Sequence, residues 1–193
     1  MVLLIDNFDS FSYILADYLL QTGIELQIAR NDQSLQSLQK ENWDGLILSP
    51  GPESPSKAGN LMEILAFYSD KLPILGICLG HQAIGQHWGA ILEKAKKPVH
   101  GKVHRVKATQ KHPLLNGIPS EFWVTRYHSL QLTQLPDCLE GLLETPEGEI
   151  MCIAHRKLPV LGIQYHPEAY LTQFGKEMIR NWLSWANILP NTH

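Results

Sequence analysis

Chemistry in this chain concentrates on one cysteine. Cys78 stands in Gly76-Ile77-Cys78-Leu79-Gly80, between an apolar run, Pro73 to Ile77, and a helical pattern ending near Ala90. Strand, glycine-flanked nucleophile and helix are the layout of a nucleophile elbow, in which a sharp turn lifts the reactive atom above the edge of a sheet. Here that atom is sulfur. At a helix N-terminus a thiolate is favoured by unpaired N–H groups and the helix dipole. A buried cysteine closing a core strand is the alternative reading of the pentapeptide.

A cysteine nucleophile needs a base, and the base needs an orienting partner. Of nine histidines, His166 ends an apolar run, Pro159 to Gln164, as Cys78 ends its own, and Glu168 lies two residues on. Pro167 biases His166 towards extended backbone, where residues i and i+2 share a face, so imidazole and carboxylate can meet. The result is a candidate Cys78, His166, Glu168 triad. A solvated loop histidine and a helix-end carboxylate are the alternatives for the last two.

The elements that must position these groups follow an α/β rhythm. Strands are expected at Val2 to Ile5, Glu25 to Ala29 and Gly45 to Ser49, and helices at Phe11 to Gln21, Ser34 to Lys40 and Leu61 to Ser69. Alternation of this kind implies a parallel sheet. The loop from Ser49 to Pro55 contains three prolines, cannot pair regularly, and belongs on the rim where loops after parallel strands converge on ligands. The turn Asn7 to Ser10 shares that rim, as a helix cap or part of a partner interface. Beyond Ala90 the texture changes to strands at Lys102 to Ala108, Glu121 to Tyr127, Glu140 to Glu144 and Glu149 to His155, antiparallel or mixed around the parallel core. A helix from Thr172 to Asn187 closes the chain. The expected fold class is therefore α/β, a mostly parallel central sheet flanked by helices with a smaller antiparallel or mixed strand region, in one domain over residues 1–193.

Composition narrows the partners. A net charge of −3 without a Lys/Arg cluster gives no electrostatic footprint for nucleic acid or a membrane surface. The apolar opening is too short for a signal segment, so a cytoplasmic protein is expected. Three cysteines with no ligand-like spacing argue against disulfides and zinc, and no metal or cofactor is expected. Cys138 and Cys152 have no partner base, His81 and His128 read as structural, and Lys102 as an exposed lysine.

Taken together, LLIDNFDSF at Leu3 to Phe11, SPGPESP at Ser49 to Pro55, GICLGHQAI at Gly76 to Ile84, HGK at His100 to Lys102, RYHSL at Arg126 to Leu130 and GIQYHPEA at Gly162 to Ala169 resemble a class I glutamine amidotransferase. More narrowly, the chain is similar to the small glutaminase subunits that serve anthranilate synthase and aminodeoxychorismate synthase. The blocks span nearly the whole chain. The resemblance implies that Cys78 attacks the glutamine carboxamide to form a γ-glutamyl thioester while His166, held by Glu168, moves protons. It also implies an oxyanion hole from the N–H groups of Leu79 and Gly51, Pro52 having none to give. Glutamine contacts would come from Gly51, Pro52, Glu53, Gln82, Ser129 and Leu130, and ammonia would pass to a large chorismate-binding synthase subunit on a separate chain. Ala169 stands where the family usually has Ser, and Glu53 where a different residue is common. A stand-alone cysteine hydrolase of related fold and a catalytically silent regulatory module are the competing expectations.

Overall fold

The computed structural model describes residues 1–189. A nine-stranded sheet carries the chain. Its members in sequence order are β1 (Val2–Asp6), β2 (Leu26–Arg30), β3 (Gly45–Leu48), β4 (Ile74–Ile77), then β6 (Lys102–Ala108), β7 (Glu121–Arg126), β9 (Leu139–Glu144), β10 (Ile150–His155) and β11 (Val160–Ile163). In space they run β2-β1-β3-β4-β11-β10-β9-β6-β7. The five from β2 to β11 pair in parallel, and the rest continue the same sheet antiparallel. The expected parallel core and antiparallel flank are thus one continuous surface.

Burial explains the apolar runs. In β1, Val2 and Leu4 face one core while Leu3 and Ile5 face another, so a strand covered on both sides needs apolar residues at every position. On the first face α1 (Phe11–Leu20) and α5 (Gly175–Trp185) contribute Leu15, Leu19, Met178 and Trp182. On the second, α2 (Leu35–Leu38), α3 (Leu61–Tyr68) and α4 (Leu79–Trp88) contribute Leu38, Leu61, Ile64, Leu65 and Ile84. Between them lie the two strands that matter most: β4 leads directly into Cys78, and its parallel neighbour β11 leads to His166, with Ile77 opposite Ile163.

Two local outcomes differ from the sequence reading. Strands β5 (Ile91–Lys94) and β8 (Leu130–Thr133) form a separate antiparallel ribbon, Ile91 opposite Thr133, where no strands were expected. Each is only four residues long, and they stabilise one another across a gap in sequence. The closing helix starts at Gly175 rather than Thr172. Thr172 and Gln173 are committed elsewhere: Thr172 Oγ1 accepts from Thr125 N at 2.9 Å and donates to the His166 carbonyl at 2.7 Å, and Gln173 N donates to the Trp123 carbonyl at 2.9 Å. Of the two residues expected to cap α1, Ser10 or Asp9, Ser10 makes no side-chain cap bond and Asp9 Oδ1 accepts from Phe11 N at 2.8 Å. The domain expected to run to His193 has its last four residues outside those described.

Candidate active site

Two glycines bring the elbow down onto the sheet. A Cβ on Gly76 would lie 2.4 Å from the Gly80 backbone, and one on Gly80 would lie 2.4 Å from the Leu48 carbonyl oxygen. With hydrogen in place of those carbons, the first turn of α4 rests directly on β4 and β3. The tight reversal falls on Cys78, whose φ of 52° and ψ of −99° lie in a region that a side-chain-bearing residue enters only under strain. Cys78 N donates to the Ile163 carbonyl at 2.7 Å, and Gln82 N to the Cys78 carbonyl at 3.0 Å, so the strained residue is held from both sides.

Facing it, His166 Nδ1 lies 2.7 Å from Glu168 Oε1. The contact arises through a turn rather than the extended segment expected from Pro167: Ala169 N donates back to the His166 carbonyl at 3.2 Å. Glu168 is one of the most buried carboxylates, 1 % exposed, and lies well before α5, so it is not a helix-end group. Phe11 and Tyr127 wall the imidazole, with ring centroids 4.8 and 5.1 Å away. Nε2 has no fully formed hydrogen bond, yet the Cys78 sulfur is near enough to act on it. Burial pulls the His166 pKa down, but hydrogen bonding towards Cys78 and Glu168, together with their negative charge, outweighs it and raises the value to about 10. The structure therefore brings the three triad candidates into one buried cluster, with the proton favoured on the imidazole.

The remaining candidates surround this cluster. Leu79 opens α4, so its N–H belongs to the first turn and has no partner within the helix. Gly51 packs against it: a Cβ there would meet Leu79 Cδ2 at 2.5 Å and Asn7 Cβ at 2.6 Å. Pro52 and Glu53 are exposed on the same loop, Glu53 with a φ of 61°. Gln82 is buried, and its Nε2 donates to the Leu130 carbonyl at 3.4 Å and to Gln164 Oε1 at 3.3 Å. Ser129 lies exposed beside Leu130, its carbonyl accepting from Ala95 N at 2.9 Å.

Two further residues belong to the neighbourhood. Gln164, which sequence reasoning does not single out, is fully buried, and its Nε2 donates to Cys78 Sγ at 3.7 Å. Its signal is nevertheless present: a polar residue ending a buried apolar strand must find hydrogen-bond partners. Asn7, expected as a cap or interface residue, is buried beneath the Gly51 loop. Its backbone N donates to Ser49 Oγ at 2.8 Å, its Nδ2 to the Ser49 carbonyl at 2.9 Å, and its Oδ1 accepts from Asn31 Nδ2 at 3.0 Å. It links the loops after β1, β2 and β3.

His81, His128 and the Cys152 thiol are buried. His81 is fully buried against Gly162; burial lowers its pKa to about 3, the Gly162 backbone partly opposing and His128 adding to the effect, although neither ring nitrogen has a well-formed partner. His128 is brought to about 4, first by burial and then by the Arg126 charge. Burial pushes the Cys152 thiol up. Lys102 is exposed on β6. Among the described residues no group of three His, Cys, Asp or Glu side chains is arranged to hold a metal ion, and no helix is long and apolar enough to cross a membrane.

Against known proteins, residues 3–185 match the family model described as glutamine amidotransferase class-I. The chain is 42 % identical over 186 residues to the aminodeoxychorismate/anthranilate synthase component 2 of Bacillus subtilis, covering 95 % of each. It is 44 % identical over 188 residues to anthranilate synthase component 2 of Azospirillum brasilense, again 95 % of each, and 40 % identical to aminodeoxychorismate synthase component 2 of Klebsiella aerogenes, covering 95 % of this chain and all of that one. Among solved structures, a Thermoplasma acidophilum protein assigned to GMP synthase superposes with a TM-score of 0.87 at 29 % identity, covering 96 % of this chain and 93 % of the other.

Proposed function

The chain belongs to the class-I glutamine amidotransferases, and from that premise we propose that it is the glutaminase subunit of a chorismate-aminating synthase, working as a single amidotransferase unit. The observation that carries this reading is the strained Cys78 at the head of α4, opposite a buried His166–Glu168 pair whose imidazole favours the protonated form.

In the proposed reaction the Cys78 thiolate attacks the glutamine carboxamide carbon, forming a C–S bond and placing negative charge on oxygen. The N–H groups of Leu79 and Gly51 receive that charge; donors fixed in advance stabilise the developing oxyanion without reorganising. The His166 imidazolium gives its proton to the leaving nitrogen, the C–N bond breaks, and ammonia departs from a γ-glutamyl thioester. Neutral His166 then takes a proton from water as the water adds to the thioester. Collapse breaks the C–S bond, returns the electron pair to sulfur and leaves glutamate. Glu168 holds the imidazole in orientation throughout. Gln82 and the backbones of Gly51, Pro52, Glu53, Ser129 and Leu130 would hold glutamine.

The ammonia acceptor lies on another chain in this reading. Relatives carrying the name component 2, of both the anthranilate and the aminodeoxychorismate type, support a large chorismate-binding partner. So does the surface: a groove of about 540 Å³ runs past Phe11, Ile14, Tyr18, Glu168 and Tyr170, and Tyr170 is 95 % exposed, with exposed Leu171 and Ile14 lining the same groove. Apolar patches of this kind next to a reaction centre mark protein contacts.

Glutamate release from glutamine, measured with and without each candidate large subunit, tests the proposal. Activity dependent on one partner and lost in Cys78→Ser is expected, and also identifies the product. Absence of glutamate release under every combination overturns it.

A further inference from the structure

We infer that Gln164 is a further catalytic residue, donating a hydrogen bond to the Cys78 sulfur that favours its departure as thiolate when the acyl-enzyme is hydrolysed. The inference rests on the glutaminase reading above and deepens it.

The direction of that hydrogen bond is fixed by a chain of buried groups. Arg126 is ion-paired with Glu149, and its Nε can only donate; it does so to His128 Nε2 at 3.0 Å. His128 Nε2 is therefore the acceptor nitrogen and Nδ1 carries the proton, which it donates to the Leu130 carbonyl at 2.8 Å. Burial and the Arg126 charge keep this imidazole neutral, as the assignment requires. A carbonyl only accepts, so the amide group that Gln82 turns towards Leu130, at 3.4 Å, is its Nε2. The second hydrogen of that nitrogen goes to Gln164 Oε1 at 3.3 Å. Gln164 is then left with Nε2 towards sulfur, at 3.7 Å. Reversing either glutamine amide would set two acceptors or two donors face to face. The orientation at Sγ thus descends, through Gln82, from a backbone carbonyl that cannot act as a donor.

An N–H donor matters to sulfur in proportion to the charge the sulfur carries. The thiolate before attack accepts strongly, and the thioester sulfur weakly. Forming the thioester therefore weakens the bond, and expelling the thiolate restores it. During hydrolysis water adds to the thioester carbonyl and gives a proton to His166. The tetrahedral adduct then breaks its C–S bond, and the pair of electrons passes to Sγ under the Gln164 N–H. Removing the donor leaves acylation no slower, because the ground-state thiolate loses the stabilisation rather than the transition state. Deacylation slows.

The test uses the chain bound to its large synthase subunit. In Gln164→Leu, kcat is expected to fall on the order of tenfold, the loss of one hydrogen bond to a charged acceptor. KM should fall in parallel, kcat/KM should stay nearly constant, and acid-quenched steady-state samples should contain more γ-glutamyl thioester by mass spectrometry. Gln164→Glu keeps an acceptor for Gln82 while losing the donor to sulfur, and should give the same signature; it decides the matter if the leucine variant does not fold. Loss of kcat/KM in step with kcat, without accumulated thioester, would overturn the inference while leaving the glutaminase reading intact. An inert native complex would instead remove that reading, and this inference with it.

Discussion

Acid should unfold this protein through two histidines that take no direct part in the proposed chemistry. His81 and His128 have folded-state pKa values of about 3 and about 4 against 6.5 for an ordinary imidazole. Between those limits the unfolded chain binds protons that the folded chain refuses, so stability falls as pH falls. Taking the change from about pH 7.5 to about pH 4.5, each site accounts for roughly 2.5 kcal/mol at 1.4 kcal/mol per unit, or roughly 5 together. That is comparable with the whole stability of a marginal domain, about 5–15 kcal/mol. His166 acts in the opposite direction: its raised value contributes stability that is fully present below 6.5 and is lost as pH climbs towards about 10, so acidification from about pH 7.5 regains roughly 1 kcal/mol, equally in the native chain and in a His81 variant. Urea unfolding of the native chain and of His81→Leu at the two pH values measures the effect, with the change in midpoint converted through a common slope. Carboxylate contributions are shared by the two proteins and cancel in the difference. His81→Leu should lose roughly 2.5 kcal/mol less than the native chain on acidification. Equal losses in both would refute the assignment of His81 as a buried neutral imidazole.

Two other substitutions probe the elbow and the base. Gly80→Ala sets a methyl against the Leu48 backbone, where nothing flexible can yield. A cost of about 1–3 kcal/mol is expected, with slower alkylation of Cys78 as α4 lifts; unchanged denaturation and alkylation would refute the close packing. Glu168→Gln removes the carboxylate that helps hold the His166 proton. The imidazole should titrate at a lower pH by NMR, and partner-dependent kcat should fall by about 10²-fold or more, whereas an unmoved titration would count against their coupling.

Much of this architecture can be read in the chain because both physical signals are local. Apolar runs such as Val2–Ile5 mark strands buried on two faces, and Gly76 and Gly80 mark where helix and sheet must approach. What escapes reading depends on partners distant in sequence. The ribbon of β5 and β8 exists because Ile91 meets Thr133, and neither four-residue segment has enough pattern to announce itself. Thr172 and Gln173 have ordinary helical neighbours, but β7 offers their polar groups better bonds. Gln164 and Asn7 owe their roles to groups that only the folded sheet brings near. The His166–Glu168 contact is anticipated by spacing, although the backbone achieves it by turning rather than extending.

The order of strands also governs when the molecule can begin to work. Strand β4 has β3 on one side, close in sequence, but its other neighbour is β11, and the contact from Gln164 to Cys78 spans 86 residues. During synthesis, the first half of the chain can assemble β1, β2 and β3 while β4 remains an open, wholly apolar edge awaiting its partner. Pairings of such long range are slow to form, and an unpaired strand edge invites association with other chains. Translation must therefore pass β11 before the edge is sealed, and the same event delivers His166 to Cys78. A growing chain is most prone to aggregate just before it acquires its chemistry.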